Sequence, residues 1–166
     1  MKKYKFIVLF VLLFTAGVSA QTGTYAGSQK ILIGKTYKDV TNIPGLSGWE
    51  FQEGSLLTAL DDKEVMTASV LKKGTTYILL FSIKEDPASK EMMIADLVEL
   101  INIPSTQHIL ASSCREGANA GVNIVALVKE ENTEFSQAIK AWRFNMDKRR
   151  IEIMNPAQVK CMNDGH

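Results

Sequence analysis

Histidine and cysteine are scarce in this chain: 166 residues contain only His108 and His166, Cys114 and Cys161. A zinc-type site needs three or four Cys, His or carboxylate ligands at regular spacing, and a thiol nucleophile needs a histidine within reach. The pattern meets neither requirement. The chain also lacks a G-x-S-x-G elbow, an H-E-x-x-H pair, a phosphate-cradling glycine loop and a calcium loop. No cofactor or metal is therefore expected, and no constellation has the spacing that a known chemistry demands. Charge of one sign is lacking too, with 19 Lys and Arg against 18 Asp and Glu. Beyond the first twenty residues no apolar run approaches the roughly 18 residues that a membrane-spanning helix requires.

What is present begins at the N-terminus. Lys2, Lys3 and Lys5 precede a wholly apolar run at residues 6–14, and Val18-Ser19-Ala20 supplies the small residues that signal peptidase needs. Residues 1–20 read as a signal peptide cleaved after Ala20, leaving Gln21 as the new N-terminus. The run is too short for a membrane anchor, and no cysteine lies near the cleavage site to carry a lipid. The expected location is periplasmic or secreted, with no stable membrane anchor. Loss of the three lysines leaves 16 basic against 18 acidic residues, a net charge of −2. Such a chain has no broad field to attract phosphate backbones. The one basic run, Lys148-Arg149-Arg150, reads as a solvated hairpin tip, so nucleic acid is excluded as a partner.

Cleavage leaves 146 of the 166 residues, enough for one core. Residues 21–28 are small and polar and read as a flexible lead-in; residues 29–166 read as a single globular domain. Two cysteines in an exported chain read as one disulfide, Cys114–Cys161. Closing that loop contributes about 4 kcal/mol in the chain-entropy account.

The hydrophobic pattern predicts short strands at residues 30–33 and 35–40, then a loop at residues 42–54 punctuated by Pro44, Gly45, Gly48 and Gly54. Residues 64–71 and 76–83 form a predicted hairpin about Lys73-Gly74, its second strand covered on both faces. Asp86-Pro87 has the chemistry of a helix N-cap. Met93, Leu97 and Ile101 fall at i, i+4 and i+8, which predicts the main helix, ended by Pro104. Strands follow at residues 108–114 and 122–129, a short helix capped by Thr133 at residues 133–139, and a hairpin of residues 141–146 and 150–154. The tail after Pro156 is expected to be stapled back by Cys161. The order predicts an α+β fold: an antiparallel sheet of short strands, one main helix packed on one face, and one disulfide.

Several residues invite a functional reading beside a plainer one. Trp49 and Phe51 in the glycine-rich loop are the candidate binding residues; the plainer role is to pin the loop to the core. Asp61, Asp62 and Glu64 form the densest carboxylate cluster, which ordinary turn chemistry also explains. Glu130-Glu131 reads as a solvated loop. His108 lies near Ser112 and Ser113, yet no partner acid is evident and residues one strand apart seldom meet. His166 is terminal. Met92, Met93 and Met146 occupy apolar positions, so core packing accounts for them without copper.

The last third carries a resemblance. Cys114, the run Val122-Asn123-Ile124-Val125-Ala126-Leu127-Val128, Lys140-Ala141-Trp142-Arg143 and Val159-Lys160-Cys161-Met162-Asn163 together resemble the C-terminal half of small exported bacterial proteins of unassigned activity. It covers about fifty residues, Cys114 to Asn163. It implies pairing of the two cysteines and a bacterial envelope setting, and no activity.

The function expected is that of an extracytoplasmic, non-enzymatic binding module contacting an envelope or extracellular protein, for instance as an inhibitor or immunity-type protein. The alternatives are a small secreted hydrolase with dispersed catalytic residues and a carrier of a small apolar ligand.

Overall fold

A computed structural model of the chain describes residues 31–58, 63–86, 88–129, 131 and 133–163. The expected leader (1–20), the lead-in (21–28), Asp61, Asp62, Pro87, Glu130 and His166 lie outside the described residues. Twelve strands are described: β1 (Thr36–Tyr37), β2 (Glu50–Leu56), β3 (Val65–Lys73), β4 (Thr76–Lys84), β5 (Met92–Leu100), β6 (Gln107–Ala111), β7 (Cys114–Glu116), β8 (Asn119–Ala120), β9 (Ile124–Lys129), β10 (Phe135–Asn145), β11 (Arg150–Met154) and β12 (Val159–Met162). They make two antiparallel sheets. The first has the order β1-β5-β4-β3-β2; the second runs β6-β9-β10-β12-β7-β8, with β11 also beside β10.

The α+β expectation is overturned: the described residues contain no α-helix, only short 3-10 turns such as Val40–Asn42 and Pro156–Gln158. The segment expected to be the main helix is β5. Phe81 pairs with Asp96 and Ser82 with Ile94, so Ala95 is an extra, bulged residue. Ile94 and Leu97 consequently share the outer face of the sheet, while Ala95 and Val98 both pack toward the inter-sheet core. A bulge converts the strand period of two into steps of three, and such steps look helical in sequence. The short helix expected at residues 133–139 fails for the same reason. β10 shifts register between Ala138 and Lys140, which places Ala138 and Ala141 on one face. The N-cap chemistry is present but serves a turn, since Asp86 Oδ1 accepts the Ala88 N–H at 2.9 Å.

The expected hairpin is β3–β4, closed by Gly74 at φ +59°, as a tight turn with a positive φ at that position requires. Both faces of β4 are covered. Tyr77, Leu79, Phe81 and Ile83 meet Ile109, Val125, Leu127, Trp142 and Phe144 of the second sheet. Phe81 and Phe144 make an edge-to-face contact at 5.6 Å between centroids. On the opposite face Ile78 and Leu80 are covered by Leu32, Tyr37, Ile43 and Leu46 from residues 31–49. The Tyr37 hydroxyl donates to Ser82 Oγ at 2.9 Å beneath this cover, and burial holds its pKa above the usual tyrosine value.

The second sheet is covered differently. β10 pairs with β9 along one edge; on the other, its first residues pair with β12 and its last with β11, on either side of the bulge. β12 and β7 thereby bring Val159, Cys161 and Cys114 onto Leu110, Ala126, Val128, Ala138 and Ala141. Two carboxylates tie the sheets together at their open sides. Asp96 Oδ2 accepts the Ile151 N–H at 2.6 Å, and Glu53 Oε2 accepts the Ala111 N–H at 3.0 Å. Each acceptor from one sheet satisfies an edge-strand donor of the other, which blunts the edges.

Candidate functional site

Cys114 and Cys161 are directly opposite on β7 and β12 and form the expected disulfide, with an S–S distance of 2.05 Å. The bond closes the layer on which a recess opens. Arg115 and Lys160, the next cross-strand pair, point to the side opposite the disulfide. Together with Asn119, Gln158, Gly117, Ala157 and Glu116 they line an open recess of about 490 Å3. The β7–β8 turn and the Pro156–Gln158 turn form its rim; Asn155 initiates the latter by accepting the Ala157 N–H at 3.1 Å, and the Gly117 N–H donates to the Gln158 carbonyl at 3.1 Å.

The charged groups of the recess are positioned unequally. Arg115 stacks over Phe135 with its guanidinium carbon 4.1 Å from the ring centroid. Glu116 is ion-paired with Arg143 of β10. Among the described residues, neither Arg115 nor Lys160 enters an ion pair. The lining therefore carries two cationic side chains with no ion-pair partner among the described residues, beside a carboxylate that is already paired.

The residues singled out in sequence are dispersed. Trp49 is half-buried against the cluster beneath residues 31–49 and acts as the loop anchor. Phe51 is not in a loop: β2 begins at Glu50, and the ring, 42% exposed, lies across Gly54. A Cβ on Gly54 would approach Phe51 Cζ to 3.0 Å, so the ring shields the glycine of this edge strand. Leu56, 41% exposed, follows on the same strand. His108 is opposite Val128 on the outer face of the second sheet. About 13 Å of extended chain separates it from Ser112, whose hydroxyl instead bonds Ser55 across the sheets.

The basic run Lys148-Arg149-Arg150 is consumed by structure. Arg149 pairs with Glu64 and Glu85, while Lys148 and Arg150 both reach Glu152. Met92 and Met146 pack against apolar clusters. No group of three or more metal-binding side chains occurs among the described residues, and none of their helices is long and apolar enough to cross a membrane. The recess residues Arg115 and Lys160 escaped sequence reading because they are 45 positions apart and only the β7–β12 pairing makes them neighbours. The one signal in sequence was their position beside the cysteines.

Fold and recess together define a disulfide-stapled two-sheet β-protein with an open cationic recess on its stapled layer. Set against models of known protein families, curated proteins and solved structures, the chain matches none.

Proposed function

We propose that the protein is an extracytoplasmic, non-enzymatic binding module that engages a partner protein of the envelope or extracellular space through the recess on β7 and β12. The observation that carries this reading is the chemistry of the lining: two cationic side chains beside polar residues on a covalently held scaffold, with the carboxylate of the lining, Glu116, already paired to Arg143. A pre-ordered site loses little binding free energy to ordering on association. Trp49 is best left to its anchoring role. Phe51 and Leu56 on the β2 edge are a secondary contact surface within the same reading, since exposed apolar side chains on an edge strand are suited to contact.

Immobilised protein lacking residues 1–20 should retain a defined exported protein that rebinds after purification, and Arg115→Glu with Lys160→Glu should abolish retention. Equal retention by the double variant, or turnover of a substrate by the wild type that the same double variant abolishes, would overturn the reading.

A further inference from the structure

Arg115 and Lys160 face each other across paired antiparallel strands, an arrangement in which like charges are destabilising. The sheet supplies neither with a counter-ion among the described residues: Glu116, the adjacent carboxylate, bonds Arg143 instead. Phe135 lies against the Arg115 guanidinium, and a guanidinium stacked in this way uses its in-plane N–H groups to grip a carboxylate bidentately. Asn119 and Gln158 belong to the same lining, so the recess is walled by polar residues as well as by the two cations.

We propose that the recess is a carboxylate-binding site that receives an acidic side chain of the partner protein. This rests on the binding-module reading and names the chemical group recognised. Without residues 1–20 the chain carries a net charge of −2, and two cations make too few contacts for the counterion release that drives binding to polyanions. Recognition by so local a charge pair suits one or two carboxylates presented by a protein surface. The electrostatic conflict between Arg115 and Lys160 is then resolved by the ligand.

The test uses the protein lacking residues 1–20, labelled with nitrogen-15 and titrated with a triglutamate peptide, with inorganic phosphate in a parallel arm. The side-chain amide signals of Asn119 and Gln158 and the Arg115 Nε–H signal should shift and saturate with the peptide. Lys160→Gln should weaken that binding about tenfold. Because Lys160 is exposed and faces Arg115, the same substitution should raise the melting temperature of the unliganded protein, an effect that a structural role for Lys160 would reverse. Absence of saturable shifts, binding indifferent to Lys160→Gln, tighter binding of phosphate than of the peptide, or a lowered melting temperature would each overturn the proposal. A partner retained equally by the Lys160→Gln protein would sink the carboxylate site and leave the module reading standing. Peptide binding at the recess with no partner retained would do the reverse.

Discussion

Residues 31–49 and the β7–β12 pair cover the outer faces of the two sheets, and they do so with different materials. The first cover brings four large side chains, Leu32, Tyr37, Ile43 and Leu46, onto Ile78, Leu80, Ile94 and Leu97. The second consists of strands three and four residues long laid over Ala126, Ala138, Ala141 and Val128. Apolar burial stabilises by about 25 cal/mol per Å2, so the first cover holds itself by area. The second lays shorter strands over smaller side chains, and the cross-link adds to the packing of Val159 and its neighbours. It also bears the recess, so the covalently held layer is the one that presents charge to a partner.

The largest test of this contrast is removal of the staple. Cys114→Ser with Cys161→Ser should cost about 2 to 4 kcal/mol in denaturant unfolding, since the bond spans 47 residues and restricts the unfolded chain. Hydrogen exchange should locate the loss, with amides of β7 and β12 losing protection before those of β3 and β4. Equal loss in all four strands would mean that the second cover is not held chiefly by its cross-link.

A smaller effect is expected from the unstapled side. Leu46→Ala removes one buried side chain from the first cover and should cost about 2 to 3 kcal/mol, toward the low end for such truncations because a surface segment can settle into the space. Protection should fall in β1 and leave the β7–β12 pairing unchanged. A cost below about 0.5 kcal/mol, the ordinary range for surface changes, would show that area is not what holds this cover.

The smallest effect concerns pH. Hydrogen bonds from Asn145, then from Lys148 and Arg150, hold the Glu152 pKa at about 2, against an ordinary value of 4.5. A depressed carboxylate pKa contributes stability that is present above 4.5 and lost as pH falls toward 2. Melting temperatures of wild type and Glu152→Gln should therefore differ at pH 6 and converge at pH 2. These bonds lie within the β10–β11 turn and touch neither cover, so protection in β7 and β12 should follow the wild-type pattern throughout. A difference as large at pH 2 as at pH 6 would show that the substitution acts through packing and not through charge.

The residue pattern by itself determined the features that depend on neighbours in sequence: the β3–β4 hairpin with Gly74 at its turn, the doubly covered β4, the β10–β11 hairpin, and the cysteine pair, for which only two thiols were available. Local alternation and turn chemistry act over a few residues, so they are visible in one dimension. The same pattern pointed to helices at β5 and at the start of β10, where tertiary structure decided otherwise. Bulges at Ala95 and Ile139 mimic helical spacing, and their cause is the pairing of a partner strand distant in sequence. The recess belongs to the same category. Arg115 and Lys160 become a site only when β12 returns beside β7, a juxtaposition set by register across some forty-five residues and invisible to any local rule.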